Sequence, residues 1–476
     1  MRNLSPEEIR QAVRGRWRWP ARPVSVGGVS IDTRTARPGD LFVALCGRNF
    51  DGHDFLAEAA SAGCVAVVVD QAAGLSESLL SRFHGGVIGV ANTTAALGDL
   101  AAYCRSHLAT SVVAVTGSNG KTTVKAMIHH ILSRRLKGRP APRSFNNAVG
   151  VPLTIFSVSP DDDYVVCEVG TNALGEVAAL ARVVKPNVAV VTSVAEVHLE
   201  GLIDLEHVAR EKASLLAGLA PGGMAVVTAD SPELARALRA YEVNLVRFGR
   251  DDSAELRLTG YQARPGGGRF ELNGRAWFEL SVPGVHNALN ALAAIAVAQR
   301  FGFDQDEAAS ALADFTALEM RLQPIQAGPV LIIDDTYNAN PASLAAAVEV
   351  LMSYPARRRV LAIGDMLELG PASGRIHREC GRRLAGAGLD LLVGVGELGG
   401  LIAAAAGEAG GAVEVRQAES VPKACRSVPR LLKAGDVVLV KGSRRMAMER
   451  LVKAIRRAFE PGKDRSAPRG GKKARR

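Results

Sequence analysis

The stretch Val112-Val113-Ala114-Val115-Thr116-Gly117-Ser118-Asn119-Gly120-Lys121-Thr122-Thr123 sets a Gly-rich turn between an apolar run and Lys-Thr-Thr. Gly117 and Gly120 let the backbone curl so that the N–H groups of Ser118, Asn119 and the residues after them converge on anionic oxygens. The start of the following helix adds its positive end. In such a loop Lys121 reaches the β- and γ-phosphates of ATP, the Thr122 hydroxyl sits on Mg²⁺, and the segment from Gly117 to Thr123 holds the nucleotide. The competing reading is a chance Gly-rich turn, but strand, turn and helix come in the required order. The commonest phosphate loop has four residues between its first Gly and Gly-Lys, which here would put Gly at Val115. The shorter GxxGKT form argues against an ordinary GTPase or kinase and toward ATP-dependent ligases.

Two further polar groups follow apolar runs. Glu168 ends Tyr164–Val169, and His198 comes shortly after Val188–Val194. In an open parallel sheet, ligands gather beyond the carboxyl ends of the strands. A carboxylate and an imidazole there suit a divalent ion on ATP oxygens, although Mg²⁺ prefers oxygen. Either residue alone more often makes a loop-end hydrogen bond. Lys212, in Ala209-Arg210-Glu211-Lys212-Ala213, reads as a solvated lysine. Asn287 and Asn290 share a helix face and either satisfy local structure or read a base or phosphate. Asp334-Asp335 ends another strand. It suits ribose hydroxyls, or an Asx turn capping the next helix.

The elements that must place these groups alternate. Expected strands include Val65–Val69, Val87–Val90, Val112–Thr116, Met224–Thr228, Val330–Ile333, Val360–Ile363, Leu391–Val395 and Val437–Val440, with helices between them. Buried runs alternating with helices predict an α/β protein with parallel sheets covered on both faces. Asp251–Leu280 reads as short antiparallel strands. A chain of 476 residues, at roughly one domain per 150, suggests three domains. The expected bounds are 1–108, 109–316 (central parallel sheet with the phosphate loop) and 317–460 (Rossmann-like), followed by a disordered basic tail, 461–476.

Composition narrows the class. Hydrophobic residues are 47% and charged residues 22%, an ordinary globular balance. The net charge of +10 invites a nucleic-acid or membrane reading, but +6 of it lies in Pro461–Arg476. No nucleic-acid partner is therefore expected. No apolar run is long enough for a membrane span, and Met1–Pro20 lacks the apolar core of a secretory signal. The six cysteines lie far apart without ligand spacing, which suggests reduced thiols in a cytoplasmic protein.

Taken together, the motifs resemble the Mur ligases of bacterial peptidoglycan synthesis from about Ser30 to Leu451. They are Asp32-Thr33-Arg34, Pro38-Gly39-Asp40, Asp51-Gly52-His53, the TGSNGKTT loop, Asn146-Asn147, Glu168-Val169-Gly170-Thr171-Asn172, His198-Leu199-Glu200, His286-Asn287 with Asn290, Asp335 to Pro341, Gly364 to Gly370, and Lys441-Gly442-Ser443-Arg444. The resemblance implies a three-domain ligase that spends ATP with Mg²⁺ to join D-Ala-D-Ala to UDP-MurNAc-tripeptide through an acyl phosphate. The DNPR-type signature of the diamino-acid-adding sister is not found.

By the same resemblance Thr33 and Arg34 hold the UDP-sugar, and Asn146, Asn147, Tyr337 and Asn338 contact substrate. Thr122, Glu168, His198 and Lys212 form the metal site, with Lys212 N-carboxylated. Lys121, Lys212 and His198 are catalytic, and Asn287, Asn290, Arg321 and Asp335 contact nucleotide. A monomer is expected. The chain departs from the family pattern with Thr33 for Ser, Ala173 for His, and Met320 before Arg321 where Gly is usual, which puts the turn at 320 in question.

Overall fold

The computed structural model describes residues 3–47, 50–197 and 199–460. The expected disordered tail and His198 lie outside them. Contacts group the chain into two compact units. One comprises the residues up to Ala195, Gly201–Leu258 and Leu289–Leu312. The other comprises Glu196–Glu200, Thr259–Ala288 and the chain from Ala313 onward.

The first unit holds a five-stranded sheet of β1 (Arg16–Trp19), β2 (Gly28–Ser30), β3 (Asp40–Val43), β4 (Ala66–Asp70) and β5 (Val87–Val90), in the order β1-β5-β4-β3-β2. Its pairs are parallel except β1 with β5. The same unit carries β6 (Ser111–Thr116), β7 (Gly138–Pro140), β8 (Tyr164–Glu168), β9 (Val188–Val191), β10 (Met224–Thr228) and β11 (Asn244–Gly249), ordered β11-β10-β9-β6-β8-β7 and parallel throughout. The central four are buried almost end to end, which is why they read as unbroken apolar runs rather than alternating ones.

Strand β12 (Leu256–Arg264) leaves the first unit at Leu258. Strands β13 (Gly267–Leu272) and β14 (Ala276–Leu280) form an antiparallel hairpin in the second. Its turn takes Asn273 and Gly274 at φ 56° and 66°, the conformation that Asn-Gly pairs favour.

The second unit's sheet consists of β15 (Gln323–Ala327), β16 (Val330–Asp335), β17 (Arg358–Gly364), β18 (Leu391–Val395), β19 (Glu414–Ala418) and β20 (Asp436–Lys441), in the order β15-β16-β20-β17-β18-β19. All pairs are parallel but β15 with β16. Apolar clusters pack on both faces. The helix Leu205–Ala213 tightens at its end into a 3₁₀ turn, Ser214–Gly218.

All six cysteines are free. Cys64, Cys104, Cys167 and Cys380 are buried. No helix among the described residues is long and apolar enough to cross a membrane.

Candidate active site

The phosphate loop follows β6 and leads into the helix Lys121–Leu132. Gly117 and Gly120 take φ 145° and 83°, which favour glycine. Hydroxyls from the end of β9 brace the loop. Ser193 Oγ accepts the Asn119 N–H at 2.9 Å, and the Ser118 N–H donates to Ser193 O at 2.9 Å. Ser118 Oγ donates to Ala195 O at 3.0 Å and accepts that residue's N–H at 2.9 Å. Lys121 Nζ curls back onto Gly117 O at 2.7 Å, so its ammonium already lies in the bend where phosphate oxygens are expected.

A Cβ on Gly117 would lie 2.0 Å from Thr192 Oγ1 and 3.0 Å from Ser193 N, and one on Gly120 would lie 2.4 Å from Asn290 Oδ1. Asn290 is thus packed against the loop. Gly117→Ala is expected to weaken ADP binding by about 10-fold or more, because a strained backbone of this kind costs on the order of 1–3 kcal/mol. Calorimetric titration with ADP checks it.

Pairing of Val115 with Glu168 brings the buried carboxylate to the loop's end of the sheet. Glu168 Oε1 accepts from Asn146 Nδ2 at 3.1 Å, and Oε2 lies 3.1 Å from Lys125 Nζ. Lys125, one turn after Lys121, also donates to Ala141 O at 3.1 Å and to Arg143 O. Asn147 differs from Asn146: its Oδ1 accepts the N–H groups of Val149 and Gly150 at the start of the helix Gly150–Phe156.

Lys212 corrects its reading as a solvated lysine. It is 1% exposed, on the helix Leu205–Ala213. Burial, with the Lys121 ammonium adding to it, pushes its amine down to about 7 against the pull of Glu211 and Glu176. The neighbouring Glu211 cannot pair with it fully, because its carboxylate accepts the N–H groups of Gly175 and Val177, both at 2.7 Å.

As a donor set for Mg²⁺, Glu168 and the Thr122 hydroxyl are suitable oxygens. Lys212 suits it only as a carbamate, since an ammonium repels the ion, and the neutral amine that burial favours is the form that captures CO₂.

In the second unit Asp335 ends β16 opposite Lys441 of β20. The buried Lys441 Nζ binds Asp335 Oδ2 at 2.5 Å and Asn338 O at 3.0 Å, while Asp335 Oδ1 accepts the Leu322 N–H at 3.2 Å. The Arg321 guanidinium lies 4.1 Å from the centre of the Tyr337 ring. The Asx turn predicted as an alternative is made by Asp334, which accepts the Thr336 N–H and hydroxyl, and Asn340 caps the helix Pro341–Ser353. Asn338 Oδ1 accepts the Ala339 N–H, and Asn287 Nδ2 donates to Pro283 O. Burial holds the His286 imidazole down to about 4, although Asp335 pulls the other way.

Toward the N-terminus Arg34 grips Asp32 with two guanidinium nitrogens and holds its carboxyl at about 2, while its own side chain stays exposed. Thr33 lies half-buried beside it. Cys46, Asp51 and His53 cluster near the same sheet. There His53 Nε2 accepts the Asp70 N–H, so the ring proton lies on Nδ1, the atom a metal would need.

Profiles of the Mur ligase family match residues 25–105 (catalytic domain), 115–298 (middle domain) and 320–444 (glutamate ligase domain). UDP-N-acetylmuramoyl-tripeptide–D-alanyl-D-alanine ligase of Escherichia coli K12 is 36% identical over 91% of this chain and 94% of its own length. The protein of that name from Bacillus subtilis 168 is 34% identical over 90% and 93%. The chain belongs to the Mur ligase family. Solved structures agree: MurF from Acinetobacter baumannii superposes with a TM-score of 0.85 at 30% identity, covering 96% of this chain and 99% of that one. MurF ligase from Thermotoga maritima in complex with ADP gives 0.81 at 27% identity, covering 91% and 98%. The α/β, three-domain Mur ligase architecture expected from the sequence is therefore the architecture of this chain. A diaminopimelate ligase and a folylpolyglutamate synthase, at 18% and 20% identity, share the fold.

The Mur ligase pattern explains one oddity. Met320, at the position where the resemblance leads one to expect Gly, has φ 59°, the left-handed conformation that Gly adopts most readily. The Tyr337 N–H donates to Met320 O and helps to hold it there.

Three residues of these clusters were not singled out from the sequence, Thr192, Ser193 and Lys125, and Lys441 stood in a motif without a role of its own. Lys125 had a readable signal, being four residues after Lys121 on a helix side otherwise made of Val124, Met127 and Ile128.

Proposed function

We propose that this Mur ligase joins D-Ala-D-Ala to UDP-MurNAc-tripeptide at the expense of ATP, giving UDP-MurNAc-pentapeptide. The observation that carries this is the end-to-end similarity, above 30% identity, to two relatives named for that reaction. The ADP in the Thermotoga structure supports ATP as the phosphate donor. The domain bounds 1–108, 109–316 and 317–460, a monomeric state and a cytoplasmic setting remain part of this reading.

The roles follow from the chemistry. The tripeptide carboxylate attacks the γ-phosphorus and expels ADP to give an acyl phosphate; the D-Ala-D-Ala amine then attacks the acyl carbon, forming the amide with loss of a proton and of inorganic phosphate. Phosphoryl transfer depends on positioning and charge rather than on covalent help from the protein. Loop N–H groups from Gly117 to Thr123 and the Lys121 ammonium hold the phosphates. Asn287, Asn290, Arg321 and Asp335 contact the nucleotide, with Asp335 on the ribose. Thr33 and Arg34 serve the UDP-sugar, and Asn146, Asn147, Tyr337 and Asn338 serve the peptide substrates. Thr122, Glu168, carbamylated Lys212 and His198 would hold Mg²⁺, which when bound neutralises charge on the phosphates.

The test is ADP release with UDP-MurNAc-tripeptides ending in meso-diaminopimelate or lysine, with and without D-Ala-D-Ala. Release that depends on D-Ala-D-Ala is expected. Release that instead requires a free diamino acid or a folate would sink the reading.

A further inference from the structure

Lys125 has no part in the reaction as derived, yet it is one of the most enclosed cations of the first unit, at 4% exposure. Its Nζ donates to Ala141 O and Arg143 O, and it forms an ion pair with Glu168 Oε2 at 3.1 Å. It is therefore fixed in place, and it neutralises the carboxylate assigned to the metal.

The pair is closed off from water, Lys125 and Glu168 being 4% and 2% exposed. A divalent ion that reaches Glu168 alone must face this ammonium, 3.1 Å from the carboxylate, where little solvent screens the repulsion. A polyphosphate brings the negative charge that offsets it.

We propose that Lys125 acts as a charge brake on Glu168, keeping its affinity for free divalent cation low so that the metal enters together with the polyphosphate. Lys125 is a positioning residue in this scheme and touches neither substrate nor metal. The proposal rests on the reading of Glu168 as a metal ligand.

The experiment titrates Mn²⁺ into the full-length enzyme without nucleotide, in bicarbonate-free buffer at about pH 8, and follows the free aquo ion by EPR. Lys125→Met is expected to bind Mn²⁺ at least about 10-fold more tightly than the wild type, and Lys125→Arg to stay within about threefold of it. Adding Glu168→Gln to Lys125→Met should cancel the gain. If Lys125→Met does not fold, Lys125→Gln carries the same expectation. A second arm measures Mn²⁺ with ADP, where Glu168→Gln alone should weaken binding about 10-fold or more. If that arm behaves as expected but removal of the Lys125 charge leaves nucleotide-free Mn²⁺ affinity within threefold, the brake is overturned, whatever happens to Tm. If Glu168→Gln leaves Mn²⁺·ADP binding unchanged, the metal reading of Glu168 falls and takes the brake with it.

Discussion

Lys121→Met is expected to lower kcat by about 10³-fold or more while leaving the fold intact. Lys121 is half-buried, and its ammonium rests on the Gly117 carbonyl of its own loop. Methionine fills similar volume, and the loop stays braced by Ser118, Ser193 and Ala195 through bonds that do not involve residue 121. What disappears is the ammonium proposed to accompany the γ-phosphate as its charge redistributes. Phosphate release dependent on D-Ala-D-Ala measures the loss, and an unchanged Tm shows that it is chemical. Retention of a tenth of the wild-type rate would contradict the role given to Lys121.

The second large effect concerns Lys212. Carbamates form on neutral amines. With its value near 7, about half of Lys212 is neutral at pH 7, against about one in 3,000 for an ordinary lysine. Lys212→Ala should therefore cost about 10²- to 10³-fold in kcat, partly restored by short carboxylates that occupy the vacated space. ¹³C-bicarbonate should give a carbamate signal in the wild type that Lys212→Ala lacks.

The stability consequence has a definite sign. The folded value lies below the unfolded 10.5, so between about 7 and 10.5 the unfolded chain holds the extra proton and stability rises with pH. Below about 7 both states are protonated, and the full cost of the buried ammonium remains. Bicarbonate should therefore change Tm of the wild type, and Lys212→Ala should abolish that response.

Lys212 also shows where reading a sequence stops. Helical periodicity sees a lysine between Glu211 and Ala213 and assigns it to solvent; only the resemblance pointed to the metal site. What hides it is the packing of its helix, which no local pattern encodes. The phosphate loop was legible because its chemistry is contiguous: strand, glycines, lysine and hydroxyl follow one another. The Lys125–Glu168 and Lys441–Asp335 pairs were not, since each joins residues far apart in the chain. The same contrast holds for the sheets. Apolar central strands such as β17 and β18 were read directly. The polar edge strands β15 (Gln-Pro-Ile-Gln-Ala) and β19 (Glu-Val-Arg-Gln-Ala) were passed over, because an edge faces water and needs no apolar run.

The free cysteines turn the molecule into its own unfolding recorder. Burial raises the thiols of Cys64 and Cys167 to about 11 and 12, and Cys380 moves the same way. Such groups react with an alkylating reagent only when the structure around them opens. Cys64 precedes β4, Cys167 lies within β8, and Cys380 sits on the helix Ser373–Ala385 of the second unit. The order in which mass spectrometry finds them alkylated during brief exposure to denaturant would rank the three sheets by local stability without an engineered cysteine.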